Sequence, residues 1–201
     1  DRLRGDTKYF KTNLSDAAST WASNDLIKLD KMYSFGLAGN ATGYINSGSQ
    51  PYISWNFKRA PGFFDVVAYS GTGSAKTVDH NLSAIPELII CKRRDSTSDW
   101  PVYYGNQMRA LRLNTTGSYS NSSVWWNNTA PTSTVFSLNT NSENNASGGS
   151  FIAYLFATLP GISKVGSYSG SNSAQNIDCG FTNGARFVLI KRTDGTADWF
   201  V

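Results

Sequence analysis

Short apolar runs with a period of two dominate this chain, and most end at Gly, Pro, Asn or Ser. Ile53, Trp55 and Phe57 alternate with Tyr52, Ser54 and Asn56, which is the spacing of a strand and not of a helix. Residues 64–69 are apolar and β-prone, and Gly71-Thr72-Gly73 follows as a tight turn. Residues 75–82 predict a second strand, with Val78 and Leu82 facing a core. Leu88-Ile89-Ile90-Cys91 is a continuous apolar run, as expected of a strand buried on both faces. Residues 94–98 read as a polar turn and 100–104 as the returning arm of a hairpin. Further strands are predicted at 110–113, 124–126, 134–138 and 151–158. The one helical candidate spans 19–32, through Trp21, Leu26, Ile27, Leu29 and Met32.

The pattern repeats. Residues 69–102 align without a gap on residues 168–201 at an offset of 99, with 13 of 34 positions identical. Asp79 falls on Asp178, Lys92-Arg93 on Lys191-Arg192, and Asp99-Trp100 on Asp198-Trp199. The same offset places 52–62 on 151–161. Before that the offset becomes 101, and Asn13 falls on Asn114. The organisation is therefore the C-terminal part of one repeat (1–62), a complete repeat (63–161) and the N-terminal part of the next (162–201). Because incomplete end units leave sheet edges uncovered, the expectation is a window on a longer tandem array. Seven or eight short strands per roughly 100 residues predict an all-β fold of tandem β-sandwich, jelly-roll-like units.

Composition narrows the function classes. The 201 residues are rich in Asn, Ser and Thr, 13% aromatic and only 16% charged, with net charge +4. One His and two Cys leave little for a zinc site or a His-dependent triad, and no cofactor motif is present. No apolar run approaches the roughly 20 residues of a membrane span, so no membrane insertion is expected. The densest basic cluster is Lys92-Arg93-Arg94, which is not the aromatic-interleaved stripe of a nucleic-acid reader. Cys91 and Cys179 sit in different contexts and read as free thiols.

Candidate chemistry is sparse. Asp95 and Asp99 recur as Asp194 and Asp198 within KRxDxTxDW. A turn doubled in every repeat is ordinary and a doubled active site is not, so these carboxylates read as turn caps. The oxygens of 95–99 lack the central Gly and later Glu of an EF-hand loop, and no metal site is assigned. His80 falls on Cys179, so it reads as structural rather than as a triad base. Arg4-Gly5-Asp6 is a chance-level tripeptide. Seven N-x-S/T sequons, among them Asn13, Asn40, Asn114 and Asn145, follow from composition. Trp100, Trp199 and Trp55 match aromatics at the repeat offset and read as core. Trp125 and Trp126 match Asn24 and Asp25 instead. With Tyr119 upstream, they form the candidate ligand platform, one ring inward and one outward if the segment is a strand.

The combination FKRAPGFFDVVAYSGTG, then HNL…P…LIICKRRDSTSDWPVYY, then APTSTVFSL…NASGGSFIAYLFATLPG resembles a repeat found in marine bacteriophage tail-fibre-like or appendage proteins. The resemblance covers nearly the whole chain, implies a virion component and carries over no catalytic residue. The reading is a non-enzymatic virion fibre or appendage, a homo-oligomer with a trimer favoured. Its partners would be other virion proteins and, through multivalent contacts, host surface polysaccharide. The rivals are a purely structural shell, tube or decoration protein, a glycan-cleaving spike with paired carboxylates, and a secreted bacterial adhesin or carbohydrate-binding module.

Overall fold

The computed structural model describes residues 8–20, 27–28, 36–37 and 51–201. In chain order the elements are β1 (Lys8–Tyr9), β2 (Ser19–Thr20), β3 (Ile27–Lys28), β4 (Gly36–Leu37), β5 (Phe64–Ser70), β6 (Lys76–Asp79), β7 (Leu88–Arg93), β8 (Pro101–Tyr103), β9 (Arg109–Arg112), β10 (Ser120–Asn121), β11 (Val135–Leu138), α1 (Ser142–Asn145), β12 (Ser150–Phe156), β13 (Ile190–Lys191) and β14 (Trp199–Phe200). The protein is all-β, and its one described helix is the single turn α1.

Six strands form one antiparallel sheet in the order β10-β9-β8-β7-β12-β5, every one of them from residues 63–161. β12 lies between β5 and β7, so Ala153 stands opposite both Val67 and Cys91. That placement explains why its sequence, SFIAYLF, does not alternate: both faces are covered. Ala153 and Leu155 project toward one face with Ile89 and Cys91. There the β6–β11 ribbon packs, bringing Val78, Phe136 and Leu138 together with Leu82, Trp125 and Trp126. Ile152 projects to the other face with Phe64 and Val66, and Phe10, Phe63, Tyr154 and Phe156 pack around them. Each fully buried Leu, Ile or Phe side chain stabilises the fold by about 1.5–3 kcal/mol.

The connections are held by buried amides. Asn145 donates to Ser74 O (2.7 Å) and Asn139 O (2.5 Å) and accepts from Thr72 N (2.9 Å), tying three loops to one side chain. Asn144 donates to Trp125 O (3.1 Å). The Asn145 sequon is thus buried. Gly71 sits against this hub, where a Cβ would lie 2.2 Å from Ala146 O and 2.8 Å from Phe151 Cε2, so only glycine fits.

The predicted strands at 64–69, 75–82, 88–91, 100–104, 110–113, 134–138 and 151–158 correspond to β5, β6, β7, β8, β9, β11 and β12. Three expectations fail. The helix at 19–32 gives way to strand at both described places: Ser19–Thr20 pairs with Lys8–Tyr9, and Ile27–Lys28 pairs with Gly36–Leu37. Inter-strand bonds there override the helical spacing. Residues 124–126 are turn and not strand, because Asn127 and Asn128 adopt left-handed backbone (φ 55° and 46°) and reverse the chain. Residues 51–59 form no strand, and Trp55 is exposed where its counterpart Tyr154 lies in the sheet. Arg4-Gly5-Asp6, Asn40, Asn24 and Asp25 lie outside the described residues.

The repeat offsets reappear as register. Lys8 pairs with Thr20 and Tyr9 with Ser19; at +101, Arg109 pairs with Asn121 and Ala110 with Ser120. At +99, the β13–β14 ladder (Ile190↔Phe200) continues the pairing frame of β7–β8 (Ile90↔Val102).

Candidate assembly site: a lysine–tryptophan clip made twice

The residues that recur as KR…DW build a joint between segments. Lys92, on β7, is fully buried, and its Nζ donates to Ser15 O (2.7 Å) and Ser98 O (2.6 Å). Two backbone bonds fix the same segment: Ser98 N to Ser15 O (2.7 Å) and Ala18 N to Arg94 O (2.9 Å). The Trp100 indole N–H donates to Leu14 O (2.9 Å), and the Phe10 ring meets Trp100 edge-on at 5.3 Å. The ammonium lies 5.5 Å from the Trp100 ring centroid and 5.9 Å from that of Phe10, within cation–π range. Burial pushes the Lys92 pKa down to about 8, partly offset by the carboxylates of Asp16 and Asp99.

The same joint is made a second time. Lys191 Nζ donates to Thr116 O (3.0 Å) and Ala197 O (2.7 Å). Ala197 N donates to Thr116 O (3.0 Å), and Tyr119 N to Thr193 O (3.0 Å). Each of these four bonds maps onto its counterpart in the first clip, at +99 for the lysine arm and +101 for the docked segment. The fifth differs: the Trp199 indole donates to Arg112 O (3.0 Å), not to the Leu14 equivalent Thr115. Burial also lowers the Lys191 pKa, with Asp198 opposing.

The recurring carboxylates serve this joint. Asp95 accepts from Arg93 Nε (2.9 Å) and Asp194 from Arg192 Nε (2.8 Å), and each arginine holds its partner's carboxyl below the ordinary range. They are turn residues, but the dominant bond comes from an arginine two positions earlier, not from a backbone N–H two positions on. Asp99 accepts from Asn114 Nδ2 (2.9 Å), while Asn114 Oδ1 accepts from Trp100 N (3.0 Å). Arg112 stands 3.3 Å from Asp99 and grips Glu143 with two bonds (2.9 and 2.8 Å). Those two carboxylates therefore flank one guanidinium, whose charge offsets one of theirs.

The candidate ligand platform is corrected. Trp125 and Trp126 are 2% and 1% exposed, both inside the core. A turn, unlike a strand, does not force neighbouring side chains to opposite faces. The Trp126 N–H donates to Arg109 O (2.9 Å), its ring meets Tyr103 edge-on, and Arg112 lies over Trp125. Neither indole offers a face to a sugar. Tyr119 remains half-buried, with the Arg109 guanidinium 4.1 Å from its ring centroid. The structure thus brings Tyr119 into the second clip, where its backbone N–H donates to Thr193 O.

The remaining candidates are structural. His80 is buried, accepts from Leu82 N at Nδ1 (3.3 Å) and faces Thr132 O with Nε2 (3.2 Å), and burial lowers its pKa. Cys91 and Cys179 are both free, and burial pushes the Cys91 thiol up to about 12. Two surface hollows hold about 170 and 200 Å³, below the ~300–1,000 Å³ of small-molecule sites. Among the described residues no three His, Cys, Asp or Glu side chains converge on a metal position, and no helix is long and apolar enough to cross a membrane. Sequence reasoning aligned Lys92 with Lys191 without assigning them a role. The signal was there, in two offsets that differ by two residues on either side of one joint.

A family profile described as Domain of unknown function (DUF7483) matches residues 1–201, spanning both clips and the complete repeat in one match. The chain belongs to this family. No curated protein and no solved structure matches it.

Proposed function

We propose that this DUF7483 chain is a non-enzymatic structural protein whose roughly 100-residue, jelly-roll-like β-sandwich units interlock through the lysine–tryptophan clip. The observation that carries the reading is the duplication of the clip, four hydrogen bonds in the same register at two places. A docked backbone segment, rather than a ligand, occupies the site where the repeat concentrates its Lys, Trp and Asp residues. This is the economy of an assembly module, in which each unit gains stability from its neighbour. The resemblance to tail-fibre repeats supports reading such a module as part of a virion appendage, in company with other virion proteins. The two edge strands of the large sheet, β10 and β5, are where side-by-side subunits of a homo-oligomer would pair.

A second reading, host attachment through surface polysaccharide, draws on Tyr119, whose half-buried ring is stacked by Arg109 beside the second clip. The test is binding of the labelled chain to surface polysaccharides, with a parallel assay for new reducing ends. Tyr119→Ala and Trp126→Phe are compared with the parent. Binding lost only in Tyr119→Ala supports attachment. No binding by a folded chain leaves the structural reading alone. Shortened polysaccharide would overturn the non-enzymatic assignment.

A further inference from the structure

We infer that the first and last segments of this chain can complete each other: residues 51–57, which carry no ladder in the structure described above, add as the missing central strand between residues 163–169 and 187–192 of the same molecule. The complete repeat supplies the template. There β12 lies between β5 and β7, and at +99 its counterparts of those two strands are 163–169 and 187–192, while 51–57 is the counterpart of β12. Among the described residues, fourteen large hydrophobic side chains are exposed, and twelve of them fall in 51–57 or 162–201. Seven of their counterparts at the repeat offset are buried and the other five are half-buried. Ile53 is 79% exposed where Ile152 is 0%, and Val188 is 49% exposed where Ile89 is 1%.

The segments already touch at one position the template requires, while Phe57 also packs on Phe63, Phe64 and Phe156 of the complete unit. In the complete unit Phe156 pairs with Leu88. At +99 this sets Phe57 opposite Phe187, with Trp55 as the diagonal neighbour on the same face. Ring centroids of Phe57 and Phe187 stand 6.3 Å apart, and those of Trp55 and Phe187 5.3 Å. The clips fit the same arrangement. Residues 14–18 dock on Lys92 of the complete unit, and residues 116–119 of the complete unit dock on Lys191. If 1–62 and 162–201 make one unit, each unit gives one segment and receives one. That is the reciprocity of an isologous, two-fold pair, which closes instead of extending. This goes beyond the structural reading above, since the clips join other segments and stand whether or not the strand inserts.

The test uses the full chain carrying Ser54→Cys, Ile190→Cys and Cys179→Ser under mild oxidation. Ser54 and Ile190 are the counterparts of Ala153 and Cys91, which stand opposite each other in the ladder, so Ala153→Cys with native Cys91 is the positive control. The expected product is a crosslink within one chain, running as a monomer with residues 54 and 190 in one linked peptide. A covalent dimer, or no crosslink from a folded variant whose control reacts, overturns the inference. Amide exchange on the unmodified chain decides the matter if the variant does not fold. Insertion slows residues 52–57 on the order of 100-fold or more, as for β12, and free exchange there overturns the inference.

Discussion

Replacing Lys92 by Met removes the charge at the centre of the first clip and keeps most of the side chain's volume. The consequence follows from what is left behind. Ser15 O retains its bond from Ser98 N, but Ser98 O loses the Lys92 donor in a site closed by Phe10 and Trp100. A buried acceptor without a partner costs about 1–3 kcal/mol. Relief of the ammonium's own desolvation, visible in its lowered pKa, keeps the net loss within that range. The control is Lys76→Met. Lys76 also donates to a backbone carbonyl, Ser70 O at 2.9 Å, but in an exposed position where water replaces the lost donor. Its cost should stay within about 0.5 kcal/mol. Urea unfolding followed by tryptophan fluorescence, with Trp100 as a buried reporter, measures both. At about 2 kcal/mol per M of urea, Lys92→Met lowers the midpoint by roughly 0.5–1.5 M, and Lys76→Met leaves it nearly unmoved. Equal effects for the two variants would refute the burial argument. A neutral Lys92→Met would remove the ammonium from the joint altogether.

Three further outcomes are expected. Lys92 has a pKa of about 8 when folded against an ordinary 10.5, so between these values the unfolded chain binds more protons. Stability of the parent relative to Lys92→Met therefore rises with pH across that window, by at most about 1.4 kcal/mol per pH unit. Cys91, raised to about 12 from 9.0, acts oppositely above pH 9, but equally in both proteins, so the difference isolates Lys92. A pH-independent difference between the urea midpoints would count against the lowered pKa. Gly71→Ala forces a Cβ against Ala146 O and Phe151, costing about 1–3 kcal/mol by thermal unfolding; an unchanged Tm would mean that the 146–149 loop yields. A thiol reagent such as DTNB should titrate Cys179 alone in the native chain and both thiols in urea, because Cys91 is buried and protonated. Two reactive thiols in the native state would contradict the packing of β7.

Much of the fold is legible in the residues. Runs such as 64–69, 88–91 and 151–158 become strands because β-branched and aromatic residues fit a pleated surface, and the gapless KR…DW alignment marks equivalent ladders. Local pattern failed where another segment supplied the deciding bonds. The period at 19–32 is helical, yet Ser19–Thr20 pairs with Lys8–Tyr9. The 51–59 alternation is that of a strand, yet a strand needs a ladder and among the described residues none forms there. Trp125 and Trp126 looked like an exposed platform because they break the repeat. Whether an indole is buried is settled by what packs over it, here Tyr103, Arg112 and the β6–β11 ribbon.

The candidate site divides in the same way. Sequence by itself determined which positions recur, the strand-rich class of the fold, and the absence of a zinc-like or triad-like residue set. Tertiary structure alone decided that Lys92 is buried, that its partners are carbonyls 77 and 6 residues away, and that the second clip copies the first. Periodicity is a property of neighbours along the chain and can be read from it. Burial and hydrogen-bond partnership depend on contacts between segments far apart in sequence, and only the folded chain specifies those.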